Sequence, residues 1–202
     1  MHRKLSSVGL ALALALATTL AAAAPGAASD ERERKRVLIK DDCDPATFNA
    51  AGFGNICQGK GETSFSEFIA ELQEDRAVDD WAFKPDELKV RAGATISVKN
   101  VGGETHTFTK VAAFGPGVVE PLNFLVFGAH NLAPLPEFLG ANANFVPSGG
   151  TLTLSTGTGT PFTLGKNRVE CGIHPWMRMI INVKRSDSDK DKKDSGKRPD
   201  SD

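Results

Sequence analysis

"NRVECGIHPWMRMIINV", residues 167–183, joins two short β-like runs through a loop that carries Cys171, His174 and Met177. "NRVEC" and "MIINV" are rich in β-branched residues, and the Gly-Ile-His-Pro-Trp step between them supplies the turn. If both runs are strands, one ends at Cys171, the next begins beyond Met177, and the loop can aim three side chains at one spot.

Similar runs lie upstream. "WAFKPDELKV" (81–90), "ATISVKN" (94–100), "THTFTKV" (105–111) and "GTLTLST" (150–156) are short and separated mostly by Gly, Pro or Asn. "TISVK" and "TLTLS" alternate apolar and polar residues, as strands buried on one face do. No long helical period separates these runs. An all-β, two-sheet sandwich is therefore expected over a parallel α/β sheet.

Four flanking pieces complete the chain. His2, Arg3 and Lys4, an apolar run from Val8 to Leu20 and an alanine-rich end read as a secretory signal peptide over residues 1–28. The apolar run is short for a membrane span, so no membrane anchor is expected. Residues 29–80 form an N-terminal extension that opens on a charged stretch expected to be a loose leader, "SDERERKRVLIK" (29–40). Within it, Phe65, Phe68, Ile69 and Leu72 recur at helical spacing, and Ser64 and Glu67 are placed as a capping box. This helix is expected to cover the core. Residues 112–150 are rich in Gly and Pro and predict a long crossover with a helical turn or two. Residues 185–202 hold no apolar side chain and predict a disordered charged tail.

Without Arg3 and Lys4 the chain carries 22 basic against 25 acidic residues, a mildly acidic export product. Nothing in that balance suggests the basic face a nucleic-acid binder needs. Three cysteines are present. In an oxidising compartment Cys43 and Cys57, which bracket a small-residue loop, are expected to form a disulfide, contributing about 3 kcal/mol. Cys171 is then left over. A lone exported thiol is either inert and buried or occupied by a metal.

Thiolate and thioether ligands favour copper, whereas zinc has little use for methionine. A trigonal His2Cys set with a weak axial Met suits electron-transfer copper and needs a second histidine. After the signal the histidines are His106, His130 and His174. His106 opens the run that follows a Gly-Gly turn, where a strand could run beside the one ending at Cys171. His130 lies in the irregular crossover and ranks below it. Each ligand also has a plain structural reading: Met177 as a core methionine with Met179 beside it, His106 as a hydrogen-bonded surface residue.

Taken together, "WAFKPDELKVRAGATISVKN" followed by "HTFT", and "VECGIHPWM" followed by "IINV", resemble the cupredoxins, the blue copper proteins, and among them the plastocyanin/amicyanin type. The resemblance spans residues 81–184. It implies a Greek-key β-sandwich with His106, Cys171, His174 and Met177 as ligands of one copper ion cycling between Cu(I) and Cu(II). The C-x2-H-x2-M loop matches the amicyanin-like spacing. An electron carrier follows from the resemblance; an enzyme is not expected, because the chain is short for a multi-domain copper oxidase and only His130 is left for a second copper centre, and a monomer is expected. By the resemblance His174 would be the ligand nearest the surface, and a transient redox protein would dock around it near Pro175 and Trp176. The segment between His106 and Cys171 is longer than in small members of the family, and the N-terminal extension lies outside the family core. A copper carrier or resistance protein is the alternative for the same ligands. Zinc binding and a metal-free scaffold are weaker ones.

Overall fold

A computed structural model describes residues 33–140 and 143–186; the expected signal peptide and nearly all of the charged tail lie outside these residues. In chain order the elements are β1 (Arg34–Lys40), α1 (Pro45–Ala50), α2 (Phe65–Asp75), β2 (Ala82–Lys84), β3 (Glu87–Arg91), β4 (Thr95–Asn100), β5 (His106–Thr107), β6 (Thr109–Val111), α3 (Glu120–Phe127), β7 (Phe145–Val146), β8 (Thr151–Ser155), β9 (Gly165–Glu170) and β10 (Arg178–Lys184).

The β-sandwich expected from the alternating runs is present. One four-stranded sheet has the order β2-β1-β4-β8, the other β3-β10-β9-β6, and β5 pairs with β7 beside them. Alternation drives the layering. Ile96 and Val98 of β4 and Leu154 of β8 point inward from the first sheet; Leu88, Val90, Val169, Ile181 and Val183 do so from the second. All belong to one buried cluster, with Phe83 and Phe108 meeting edge to face at 5.2 Å between ring centres.

Two expected strands are each broken in two. "WAFKPDELKV" changes sheets at the cis Lys84–Pro85 bond, so β2 lies in the first sheet and β3 in the second. "THTFTKV" likewise divides between β5 and β6. The proline and the switch of pairing partner explain why one continuous run yields two strands.

The charged leader differs from its expectation. Arg34–Lys40 is β1, antiparallel to β2 and parallel to β4, with Val37 and Ile39 fully buried. Its charged residues outnumber its apolar ones, but Val37 and Ile39 two apart suffice to seat one edge of the strand on the core. At its end, Asp41 is carried to the site described below.

Helix α2 starts where the capping box places it. Ser64 accepts from the Glu67 N–H, and the Glu67 carboxylate accepts from the Ser64 N–H at 2.9 Å. Its buried face presents Phe68 and Leu72 to the core. Ser64→Ala is expected to cost about 1 kcal/mol of stability, read as a lower urea midpoint at unchanged slope. Helix α3, eight residues long, supplies the helical turn or two expected in the crossover. Cys43 and Cys57 are disulfide-bonded, as expected. Their loop lies against the Gly102–Gly103 turn, where a Cβ on Gly103 would stand 2.6 Å from the Cys43 sulfur. Only glycine permits that approach.

Candidate metal centre

Strand β9 delivers Cys171 immediately past its end, and β5 begins with His106. The intervening loop folds back tightly: Met177 N–H donates to the His174 carbonyl at 2.9 Å, and Cys171 N–H donates to the Met177 carbonyl at 3.1 Å. Gly172 is required within it, because a Cβ there would meet the Phe138 ring at 2.8 Å. The Gly172 N–H is held by the Thr107 hydroxyl at 2.7 Å, which ties the loop to β5.

These constraints bring His106, Cys171 and His174 together, 0, 0 and 2 % exposed. Both imidazoles turn Nδ1 toward the sulfur. Each Nδ1 is 3.8 Å from Cys171 Sγ, and the two nitrogens are 3.2 Å apart. A triangle with sides of 3.8, 3.8 and 3.2 Å has its equidistant point about 2.1 Å from each corner. Metal–imidazole bonds are about 2.0–2.1 Å and metal–thiolate bonds about 2.3 Å, so the three atoms fit around one ion. Met177 lies on the same loop, 1 % exposed, and Met179 is 2 % exposed on β10.

His130 is outside the cluster. Its ring stacks on Phe124 at 3.9 Å and pairs with Glu120 on the exposed side of α3. The structure thus separates the two histidines as the sequence ranked them.

Two carboxylates that sequence reading did not single out stand behind the imidazoles. Asp41 Oδ2 is 2.7 Å from His106 Nε2, with both side chains wholly buried. Asp41 also accepts from the Gly103 N–H at 2.7 Å and the Glu104 N–H at 3.2 Å. Glu104 Oε2 lies 3.5 Å from His174 Nε2 and accepts from the Trp81 indole at 2.6 Å. Each ring therefore directs one nitrogen at the sulfur and the other at a carboxylate. That arrangement fixes ring orientation and raises ligand basicity.

The charges are mutually supporting. Burial opposes ionisation of Cys171, but hydrogen bonds from both histidines hold its thiol well below the ordinary range. Burial likewise pulls His106 down, and the Asp41 hydrogen bond together with the thiolate raises it to about 9. Asp41 stays below its ordinary value because His106 outweighs its own burial. Cys171, His106 and Asp41 are thus each biased toward their charged forms by one another, and binding of a cation displaces protons from such donors. Thr107 N–H approaches Sγ at 3.4 Å, a donor of the kind that tunes thiolate sites. Next to Cys171, burial raises Glu170 to about 7 against the pull of Arg178.

The N-terminal extension alters the outer face. His174, expected nearest the surface, is covered: Phe68 of α2 meets its ring edge-on at 6.5 Å and Trp176 at 5.3 Å. Trp176 Nε1 is itself buried without a hydrogen-bond partner among the described residues. No helix among the described residues is long and apolar enough to cross a membrane.

No protein-family model matches the chain. No curated protein matches it either. Among solved structures it is similar to a purple cupredoxin from Nitrosopumilus maritimus, at 12 % identity over 74 % of this chain and 99 % of that one, with a TM-score of 0.37. It is similar to plastocyanin from Dryopteris crassirhizoma at 14 % identity, again over 74 % and 99 %, TM-score 0.35. For the P52G mutant of amicyanin in its reduced Cu(I) form, the figures are 18 % identity, 54 % and 77 % coverage and a TM-score of 0.33. These three are cupredoxins; the chain is also similar to a copper-containing nitrite reductase from Thermus scotoductus SA-01, at 18 % identity over 52 % of this chain and 20 % of that one, with a TM-score of 0.32.

Proposed function

We propose that the protein holds one copper ion through His106, Cys171 and His174, with Met177 as the axial contact, and carries single electrons between redox partners outside the cytoplasm. The observation that carries this reading is the buried triangle of one sulfur and two Nδ1 atoms, sized for a single ion. Sulfur and imidazole donors favour copper among the metals considered. Copper bound there supplies a one-electron Cu(I)/Cu(II) couple.

The protein's part is to keep the donors still. The loop hydrogen bonds, the Thr107 tie and the two carboxylates fix the donor positions before any ion arrives. Little rearrangement is then needed between oxidation states. The apolar surround excludes water, and the Thr107 N–H sets the electron density on sulfur. His174 remains the favoured exit, and a transient protein partner would approach it by way of Pro175 and Trp176. Trp176→Ala tests that route: unchanged transfer rates to the physiological partner would reject it.

The deciding experiment is addition of Cu(II) to the purified metal-free protein. One equivalent should produce an intense visible thiolate-to-copper absorption, reversibly bleached by ascorbate. No visible band, or a band that never bleaches, would reject the electron-carrier reading. Met177→Gln should retain the metal and shift the reduction potential, measured by voltammetry; an unmoved potential would remove Met177 from the axial position. Delivery of Cu(I) to another protein without redox cycling would instead identify a copper carrier.

A further inference from the structure

An apolar cavity of about 480 Å³ lies between the extension, α3 and the loop that carries His174. Its walls include Phe65, Phe68 and Ile69 of α2, Leu122 and Leu125 of α3, and Ile173. None of these belongs to the two four-stranded sheets. The volume is that of a small-molecule site, larger than a packing defect and too small for a helix.

The polar lining is graded by depth. Asn55 and Gln58 are exposed, as is Phe53 at 63 %, so they mark the mouth. Glu104 and His174 are 7 and 2 % exposed, so they mark the inner end. Aromatic edges line the space between: Phe48 and Phe65 stand at 87° with centres 5.3 Å apart. Such rings accept another aromatic ring edge to face. At the inner end, a carboxylate calls for a hydrogen-bond donor. Glu104 already accepts from Trp81 through Oε2, and a carboxylate has about four acceptor positions. An anionic ligand would be repelled there, and a cation would lose its hydration to apolar walls.

We propose that this cavity binds a small neutral aromatic alcohol, with its ring among Phe65, Phe68 and Leu122 and its hydroxyl donating to Glu104 beside His174. The site goes beyond the copper assignment and does not require the metal. It would place an organic molecule against the outer side of a metal-ligand histidine.

The test uses the full metal-free chain, with 2-naphthol as the probe and naphthalene and 2-naphthoate as comparisons. Binding is followed by calorimetry and by backbone amide shifts. One 2-naphthol should bind per chain, with shifts centred on Ile69, Leu122 and Ile173. Naphthalene should bind about ten-fold more weakly for want of the hydrogen bond, and 2-naphthoate more weakly still. Leu122→Trp, which fills the cavity, should abolish binding yet leave one-equivalent copper uptake intact. If that variant does not fold, Ile69→Trp serves the same purpose. The proposal is overturned by absence of naphthol binding, by equal affinity for naphthalene, by shifts elsewhere, or by binding that survives the filled cavity. It is also overturned if the cavity residues shift with protein concentration alone, which would make a second copy of the chain the occupant. Failure of copper binding would leave these outcomes unaffected, so the two readings fail separately.

Discussion

Cys171→Ala is expected to remove the visible thiolate-to-copper absorption completely. The sulfur is the only anionic donor in the triangle, and the two imidazoles that remain cannot supply a thiolate transition. The loss extends to stability. An ion bound only to the folded chain stabilises it by about 2.7 kcal/mol at a free concentration one hundred times its dissociation constant. The variant should therefore show little copper-induced rise in melting temperature where the parent shows several degrees. Metal-free, its His106 loses the thiolate that helps hold its proton, keeping only Asp41. A visible band of parental intensity in Cys171→Ala would place copper elsewhere and discard the site. His106→Ala and His130→Ala provide the internal comparison: the first should lose the band and the second retain it, because His130 is paired with Glu120 outside the cluster.

The parts of this molecule that sequence reading reached are those written in local pattern. The C-x2-H-x2-M loop, the Ser64–Glu67 capping box and the alternation of "TISVK" and "TLTLS" each fit within a few residues. The helix and the two strands appear in the structure where the spacing puts them, and the loop brings Cys171 and His174 together. His106 was reachable through strand logic, as a strand beginning there could run beside the one that ends at Cys171; in the structure its continuation β6 pairs with β9, while β5 itself pairs with β7. What escaped was set by pairing across long separations. Strand β1 is mostly charged, and its place is fixed by parallel pairing to β4, about sixty residues away. Asp41 reaches His106 across 65 residues, and no local pattern marks it out from the neighbouring Asp42 and Asp44. The covering of His174 follows from how α2 seats Phe68 between Trp81, Trp176 and the ligand ring, a three-dimensional fact that the helical period leaves open.

That long reach makes Asp41 the position where the extension and the metal centre become one system. Asp41→Asn keeps the size of the side chain and changes its hydrogen-bond character. The carboxylate now accepts from Gly103 N–H, Glu104 N–H and His106 Nε2. An amide can turn only one oxygen to these donors, and its NH2 must face another donor at close range. One buried group is left unsatisfied, at a cost of about 1–3 kcal/mol. His106 also loses the partner that orients Nδ1 toward the sulfur. Loss of such an outer partner typically weakens metal affinity about 10–100-fold. Asp41→Asn should therefore lower the urea midpoint of the metal-free protein and weaken copper binding by that factor, while the visible band keeps its position because the donor atoms are unchanged. Glu104→Gln should affect metal binding less, since its approach to His174 is 3.5 Å against 2.7 Å for Asp41 and His106. Unaltered copper affinity in Asp41→Asn would mean that β5 and its Thr107 tie to the loop orient His106 without the carboxylate. The extension would then cover the site without holding it.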